Sequence, residues 1–258
     1  MQVQAEFFRV EVTDHVATVF FDRPPVNAVN QQCYREAIEV FRTVGEDREV
    51  RCAVFASALE RTFCAGADVR DFADRTPENY PERAKLARDA FWAVYDCAVP
   101  VIGAINGPAL GTGLAFASMC DIIIAAEEAV FGLPEVNVGS LGGAAHLSRL
   151  VPQMKARKMM FTGERISARD AAQYGFIEKV VPRDQVLAEA RGLAAEIASK
   201  SPVTIRLAKE AFNKVEFMEL KEGYALEQTY TARLTGHPDA LEAARAFVEK
   251  RAPVFKGL

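Results

Sequence analysis

Alternating and continuous apolar runs divide the first half of the chain into strands and helices. Two runs, residues 7–13 and 16–22, are separated only by Asp14 and His15, which predicts a β-hairpin. Short apolar runs predict three further strands, at residues 52–56, 101–105 and 122–126. Apolar positions at helical spacing predict three helices, at residues 31–44, 82–98 and 112–119. Strands that alternate with helices indicate βαβ units and a mostly parallel sheet.

The pattern changes after about Gly142, where helical spacing begins to dominate. It predicts helices at residues 142–151, 155–162 and 167–174, a strand near 177–181, and almost continuous helix over 184–251. Turn residues interrupt that last stretch at Ser201-Pro202 and near Gly236, and Ser167 begins a capping-box pattern. We therefore expect an α/β core over residues 1–195, followed by a helical region over residues 196–258.

Composition narrows the class of protein further. With 258 residues, half of them hydrophobic, the chain can bury one large core without disulfides or metals. A net charge of −4 and a pI near 5.6, with no basic block, argue against a nucleic-acid surface. The five cysteines are widely spaced and odd in number, which is typical of reduced thiols. No signal-peptide pattern is visible at the start, so we expect a cytoplasmic protein.

One long uncharged stretch runs between Asp96 and Asp121. Its length would suffice for a membrane span. However, it contains two prolines and four glycines, which break a spanning helix. A buried strand, a turn and a helix fit this composition better, and we expect no contact with a membrane.

Three glycine-rich segments carry the candidate chemistry, at residues 64–68, 106–113 and 131–139. Each of the first two follows a strand-like run and leads into a helical pattern, so backbone N–H groups are left free where the helix begins. Two such groups aimed at one point form an oxyanion hole. The third segment adds the carboxylate of Glu135, which is suited to act as an acid or base.

These segments, with residues 22–28 near the start and 247–256 near the end, resemble the crotonase (enoyl-CoA hydratase/isomerase) superfamily. The resemblance implies a spiral of ββα turns and a helical trimerisation region, hence a homotrimer or a hexamer made of two trimers. It also implies an acyl-CoA thioester as substrate, with coenzyme A as part of that substrate and no separate cofactor or metal. It assigns the oxyanion hole to the N–H groups of Ala67 and Thr112, and acid–base catalysis to Glu135.

The resemblance also implies a path for the coenzyme A part of the substrate. Asp68 is in addition a candidate helix cap. The first CoA segment, residues 23–28, is shorter than a common family form and lacks its lysine. Near the C-terminus, this chain resembles family members whose residues reach the coenzyme A bound to a neighbouring subunit. The residues implied in binding are Arg23, Val26, Ala28, Ala65, Asp68, Val69, Arg70, Leu110, Pro134, Gly143, Phe255 and Lys256.

Ala115 is the main departure from the family pattern. Family hydratases carry a second glutamate at this position, and hydration uses two carboxylates. Moving a proton between two carbons of an acyl chain needs only one base, so we expect double-bond isomerisation of an enoyl-CoA with Glu135 as the single acid–base group. The alternatives are a hydratase with a substituted second group, a ring-opening hydrolase of a cyclic β-keto acyl-CoA, and an acyl-CoA-binding protein without catalysis.

His146 is the first candidate for a second polar group. It follows Gly142-Gly143 and could point into the pocket, although a histidine in a helix more often lies at the surface or is satisfied in the core. Phe91, Trp92 and Tyr95 share a helix that could wall the acyl pocket, with a core role as the alternative. Further polar candidates are Cys64, Asn137, Ser140 and Tyr230. No nucleophile motif and no metal-ligand spacing is present.

Overall fold

The computed structural model describes residues 4–257, which form eleven strands and ten α-helices. The strands are β1 Phe8–Thr13, β2 Val16–Phe21, β3 Ala28–Val29, β4 Cys52–Ser57, β5 Gly66–Ala67, β6 Val101–Ile105, β7 Ala109–Leu110, β8 Ile122–Ala126, β9 Val130–Gly132, β10 Arg165–Ser167 and β11 Lys179–Val181. The helices are α1 Gln31–Glu46, α2 Tyr80–Tyr95, α3 Thr112–Ser118, α4 Ala144–Leu150, α5 Gln153–Thr162, α6 Ala168–Gln173, α7 Val186–Ala198, α8 Pro202–Val215, α9 Leu220–Leu234 and α10 Pro238–Glu249.

A six-stranded sheet in the order β1-β2-β4-β6-β8-β11 forms the frame of the molecule. The predicted hairpin is present, with β1 antiparallel to β2, and every other pair in this sheet is parallel. Strands β2, β4 and β6 are buried along almost their whole length because helices cover the sheet. The core is rich in phenylalanine, and Phe55 packs edge-on against Phe41, Phe63 and Phe116.

Four successive units repeat one arrangement of a long strand, a short strand and a helix. The long strands β2, β4, β6 and β8 lie side by side in the large sheet, and the short strands β3, β5, β7 and β9 follow them in the same order. Helices α1 to α4 complete the four units. This is the expected ββα spiral, and it stacks the ends of the short strands at one edge of the molecule.

The uncharged stretch forms β6, β7 and α3, all buried, as the composition predicted. No helix within residues 4–257 is long and apolar enough to cross a membrane. All five cysteines are buried and free. Burial raises the pKa of the Cys64 thiol to about 12, because the thiolate would lose its hydration.

Three details differ from the sequence-based expectations. Helix α1 continues through Gly45 instead of ending there, and a Cβ on that glycine would lie 2.9 Å from the backbone nitrogen of Ala98. Helix α2 begins at Tyr80 and ends at Tyr95, whereas the pattern predicted a helix over residues 82–98. A break at residues 216–219 separates α8 from α9, although that segment contains neither glycine nor proline.

The helical region has a small core of its own, formed by Val203, Leu207, Ala211 and Tyr230. Helix α7, by contrast, packs across the large sheet, and its buried alanines belong to the main core. The expected boundary between residues 195 and 196 therefore falls inside α7. Helix α8 joins the two parts through Lys209, whose buried ammonium lies 2.7 Å from an oxygen of Asp121 at the start of β8.

Candidate active site

The three glycine-rich segments lie side by side, joined by backbone hydrogen bonds. The N–H of Cys64 donates to Pro108 O at 3.0 Å, and the N–H of Leu110 donates to Cys64 O at 3.0 Å. The N–H of Gly111 then donates to Gly132 O at 2.9 Å. Because neighbouring parallel strands end at the same edge, this ladder places the two turns and the Glu135 segment around one point.

Two glycines allow the close approach of the turns. Gly66 has a φ of +116° and Gly111 a φ of +54°, in the region that favours glycine. A Cβ on Gly66 would lie 3.2 Å from the carbonyl oxygen of Leu110, and one on Gly111 would collide with Oε1 of Glu135. The carboxylate of Glu135 therefore rests directly on the backbone of the second glycine turn.

Glu135 lies in a short 3₁₀ helix, Pro134–Val138, and its side chain reaches a cavity of about 460 Å³. Its buried Oε2 has no hydrogen-bond partner within residues 4–257. Burial raises the pKa of this carboxyl above its usual value, since the charged form loses hydration. A raised pKa makes the carboxylate a stronger base, which suits a group that takes up and releases protons in a reaction.

Thr112 and Ala67 line the same cavity. Thr112 is the first residue of α3, so its N–H has no acceptor inside the helix. Its hydroxyl oxygen lies 3.3 Å from the hydroxyl of Tyr34, a cavity residue that the sequence pattern did not reveal. Burial raises the pKa of Tyr34 to about 12, so this phenol is neutral and can donate a hydrogen bond.

The cavity combines an apolar wall with a few charged and polar side chains. Phe91 and Trp92 belong to the wall, whereas Tyr95 lies outside it and donates a hydrogen bond to Oε2 of Glu216 at 2.6 Å. The lining consists of Val29, Gln31, Tyr34, Ala67, Asp71, Arg75, Tyr80, Arg83, Ala84, Ala87, Arg88, Phe91, Trp92, Gly111, Thr112, Ala115, Leu133, Glu135, Ser140, Leu141, Gly142, Gly143, Ala145 and His146.

His146 faces the cavity, and its ring also forms a hydrogen bond with a neighbouring side chain. The sequence had offered these two positions, in the pocket or hydrogen-bonded in the core, as alternatives. Its Nδ1 lies 3.0 Å from the hydroxyl oxygen of Ser118, and its ring packs edge-on against Phe91 with centroids 5.0 Å apart. Burial, and then the positive charge of Arg149, lower the pKa of His146. The imidazole is therefore neutral at physiological pH.

Ala115 lines the cavity with its small side chain, so helix α3 brings no carboxylate to the site. Of the other polar candidates, Ser140 reaches the cavity. Cys64 is buried, Asn137 packs against Gly163, and Tyr230 lies in the core of the helical region. Glu135 and His146 are thus two acid–base groups that line the cavity near the glycine turns.

Asp68 organises the first part of the expected coenzyme A path. Its carboxylate accepts hydrogen bonds from Arg23 at 2.9 Å and from the Arg70 side chain at 2.7 Å. It also caps the short helix that follows, accepting from the Arg70 N–H at 3.1 Å. The Arg70 guanidinium and that N–H hold the pKa of Asp68 well below its usual range. This cluster lies beside the cavity and outside its lining.

The remaining residues of the expected path lie in three places. Ala28 in β3 pairs with Gly66 in β5, and just before this pair Val26 O accepts a hydrogen bond from the Ala65 N–H at 3.0 Å. Val69 follows these paired strands and is exposed. The Lys256 N–H donates to Asp239 at 2.9 Å, which fixes the C-terminal tail on the helical region. Gly143 lines the cavity, Leu110 and Pro134 adjoin it in sequence, and Phe255 is half-buried in that tail.

Comparison with known proteins agrees with this architecture. The enoyl-CoA hydratase/isomerase family model matches residues 11–258. A crystal structure of an enoyl-CoA hydratase from Bacillus anthracis has a TM-score of 0.93 and 34% identity, covering 98% of this chain and 100% of that chain.

Two relatives share the name (7aS)-7a-methyl-1,5-dioxo-2,3,5,6,7,7a-hexahydro-1H-indene-carboxyl-CoA hydrolase. The one from Rhodococcus jostii is 38% identical and covers 93% of both chains. The one from Mycobacterium tuberculosis is 39% identical over 91% of this chain and 95% of its own.

A ββα spiral with paired glycine turns beside a half-buried glutamate defines an enzyme of the crotonase fold that acts on acyl-CoA. The chain belongs to the enoyl-CoA hydratase/isomerase family.

Proposed function

We propose that this enzyme is a ring-opening hydrolase of a cyclic β-keto acyl-CoA. The observation that carries the proposal is the buried carboxyl of Glu135 resting on Gly111, beside the first N–H of α3 and next to the small Ala115. Relatives that are named hydrolases of a dioxo-indene-carboxyl-CoA support the choice of a cyclic keto thioester. A cavity of about 460 Å³ is within the usual range for small-molecule sites.

In the proposed reaction the thioester oxygen accepts hydrogen bonds from the N–H groups of Ala67 and Thr112. Water adds to the ring carbonyl, and the bond between that carbon and Cα breaks. The electron pair stays on the thioester as an enolate, and Glu135 delivers a proton to Cα. Loss of one such backbone donor typically costs about 3 kcal/mol of transition-state stabilisation. Overall, the oxygen and one hydrogen of the water end in the new carboxyl group, and the second proton that the water gives up makes good the one that Glu135 delivers to Cα.

Double-bond isomerisation of an enoyl-CoA is the second candidate. It is favoured by Ala115, because one carboxylate, that of Glu135, suffices to move a proton between two carbons. The enolate and the backbone donors would be the same in both reactions. The two candidates differ in whether water is added to the product.

Mass spectrometry of an acyl-CoA panel in D2O distinguishes these reactions. The panel holds oxocyclohexane-carboxyl-CoA, a dioxo-indene-carboxyl-CoA, enoyl-CoA esters and a saturated ester. We expect ring cleavage with gain of water from the cyclic esters. Glu135→Gln should lower turnover about 100-fold or more, as expected for removal of an acid–base group. The Glu127→Gln variant changes an exposed residue outside the cavity lining and should retain full activity.

Each other outcome selects a different function. A shifted double bond with deuterium at carbon, and no cleavage of cyclic esters, would establish the isomerase. Water gain on an enoyl ester would establish a hydratase. Tight binding of all esters without exchange or turnover would identify an acyl-CoA-binding protein and would contradict the proposed hydrolase.

A further inference from the structure

The hydrogen bonds of Ser118 determine which nitrogen of His146 carries a proton. The Ser118 hydroxyl lies 2.7 Å from the carbonyl oxygen of Ala115 and 3.0 Å from Nδ1 of His146. A carbonyl oxygen can only accept, so the single hydroxyl hydrogen is used there. The bond to the imidazole must then be donated by Nδ1–H. A neutral imidazole has one N–H, and its Nε2 is therefore an unprotonated acceptor.

The position of this imidazole matters as much as its tautomer. Ser118 follows Ala115 by one helical turn on α3, and its hydroxyl connects the Ala115 carbonyl directly to the His146 ring. Ala115, His146 and Glu135 all line the same cavity. Nε2 makes no hydrogen bond within residues 4–257, so it is free to bind a group in the cavity.

The charged surroundings keep the ring neutral. Arg149 lies one turn further along α4, donates to the carbonyl oxygen of Ser118, and forms an ion pair with Glu216 at 2.6 Å. Burial, and then the positive charge of that arginine, disfavour the imidazolium and lower the pKa of His146. The apolar ring of Phe91 packs on another side. A neutral imidazole with a free Nε2 can take a proton from water.

We propose that His146 is the second acid–base residue of the site, in the role of the base that activates water. The inference rests on the proposed ring-opening reaction. Nε2 removes a proton from water as the water oxygen bonds to the ring carbonyl carbon, and the carbon–carbon bond to Cα then breaks. The proton that His146 takes up balances the one that Glu135 gives to Cα. His146 afterwards returns its proton to solvent, and Glu135 is reprotonated.

Separating two half-reactions tests this assignment. Ring cleavage of oxocyclohexane-carboxyl-CoA, or of the dioxo-indene-carboxyl-CoA, needs both groups. Exchange of Cα hydrogens in the ring-opened product, a dicarboxylic mono-CoA thioester, needs Glu135 and the backbone N–H groups alone. In D2O, His146→Gln should therefore lower kcat for cleavage about 100-fold or more while exchange continues at close to the wild-type rate. Glu135→Gln should lose both.

His15→Gln is the matched control. His15 lies between β1 and β2, where its Nδ1 contacts the carbonyl oxygen of Glu49 at 2.8 Å, and it is not part of the cavity lining. This variant should cleave and exchange like the wild type. Cleavage by His146→Gln at the wild-type rate would overturn the assignment. A wild-type enzyme that cleaves neither cyclic ester would instead refute the ring-opening reaction itself.

A spectroscopic measurement tests the tautomer independently of turnover. In protein labelled with ¹⁵N at its three histidines, the His146 signals should show a protonated Nδ1 and an unprotonated Nε2 at neutral pH. Ser118→Ala removes the acceptor for Nδ1–H, so we expect a mixture of tautomers and a several-fold lower kcat with little change in KM. A His146 ring protonated at Nε2 in the wild type would contradict the proposal, even if His146→Gln failed to fold.

Discussion

Gly111 is the residue on which the geometry of the site depends most. It has a positive φ, donates its N–H to Gly132, precedes the first residue of α3, and leaves no room for a Cβ beside Glu135. Glycine supplies the backbone conformation and also the space for the carboxylate. No side chain could meet both demands.

Gly111→Ala should therefore lower the turnover of the folded enzyme as well as its stability. We expect a loss of about 1–3 kcal/mol in the free energy of unfolding, from the strained φ and the collision with Oε1 of Glu135, and turnover lowered about 100-fold or more. Gly175→Ala is the matched control, because Gly175 has a φ of +85° and open space around its Cα. It should lose about 1 kcal/mol and keep its activity. Urea unfolding measures the stability of both variants, and a turnover assay measures their activity. Equal activity of the two variants would contradict this account.

At the scale of elements, one side chain holds the first two ββα units together. Asn27, in the segment before β3, is buried with a φ of +53°. The two hydrogens of its side-chain amide are shared among three acceptors, Phe21 O at 3.1 Å, Ser57 Oγ at 2.9 Å and Phe63 O at 2.9 Å. Phe21 ends β2, Ser57 ends β4, and Phe63 precedes the first glycine turn. Its Oδ1 accepts from the Arg23 N–H at 2.7 Å.

Substitution at Asn27 should loosen this junction. Asn27→Gly keeps the backbone conformation but leaves buried groups without partners, so we expect a loss of about 2–4 kcal/mol in the free energy of unfolding. Asn27→Ala adds the strain of a positive φ and should lose about 1 kcal/mol more. Urea unfolding of both variants measures the difference. A loss below about 1 kcal/mol in Asn27→Gly would show that water replaces these hydrogen bonds.

The same scale shows what sequence patterns can predict. Long strands such as β6 and long helices such as α1 were predicted because each has enough residues to display its period. The short strands β3, β5 and β7 have two residues each, too few for any alternation. For β5 and β7, only the glycine-rich segments that contain them were visible in the sequence. The role of Tyr34 was missed because a tyrosine on a helical face carries no local signal of what lies opposite. The bond between Ser118 and His146 joins residues 28 positions apart, so no local pattern contains it.

At the scale of the whole molecule, the helical region exposes many large apolar side chains. Phe212, Phe217, Leu220, Phe247 and Val248 are all more than 70% exposed, and they lie on α8 to α10 or the connection between α8 and α9. Exposed apolar surface of this extent marks an interaction site. The occupant that the family resemblance implies is a second and a third copy of the chain.

We expect the protein to be a trimer or a hexamer in solution, with this surface inside the assembly. Light scattering after size-exclusion chromatography measures the mass. Phe217→Asp and Leu220→Asp should each shift the mass towards the monomer, because a charge would be buried at the contact. Val12→Asp, on the edge strand β1, adds the same charge elsewhere and should leave the mass unchanged. A monomeric wild type would contradict the expected assembly.

The contact between Gly66 and Gly111 also bears on how such enzymes diversify. Groups that belong to the main chain are present whatever side chains surround them, so most single substitutions leave the proposed enolate-binding element untouched. Positions such as Ala115 and His146 can then vary independently, each change altering proton transfer while retaining the affinity for a thioester. Single substitutions at such positions can therefore change the reaction while the enzyme continues to bind thioesters throughout its evolution.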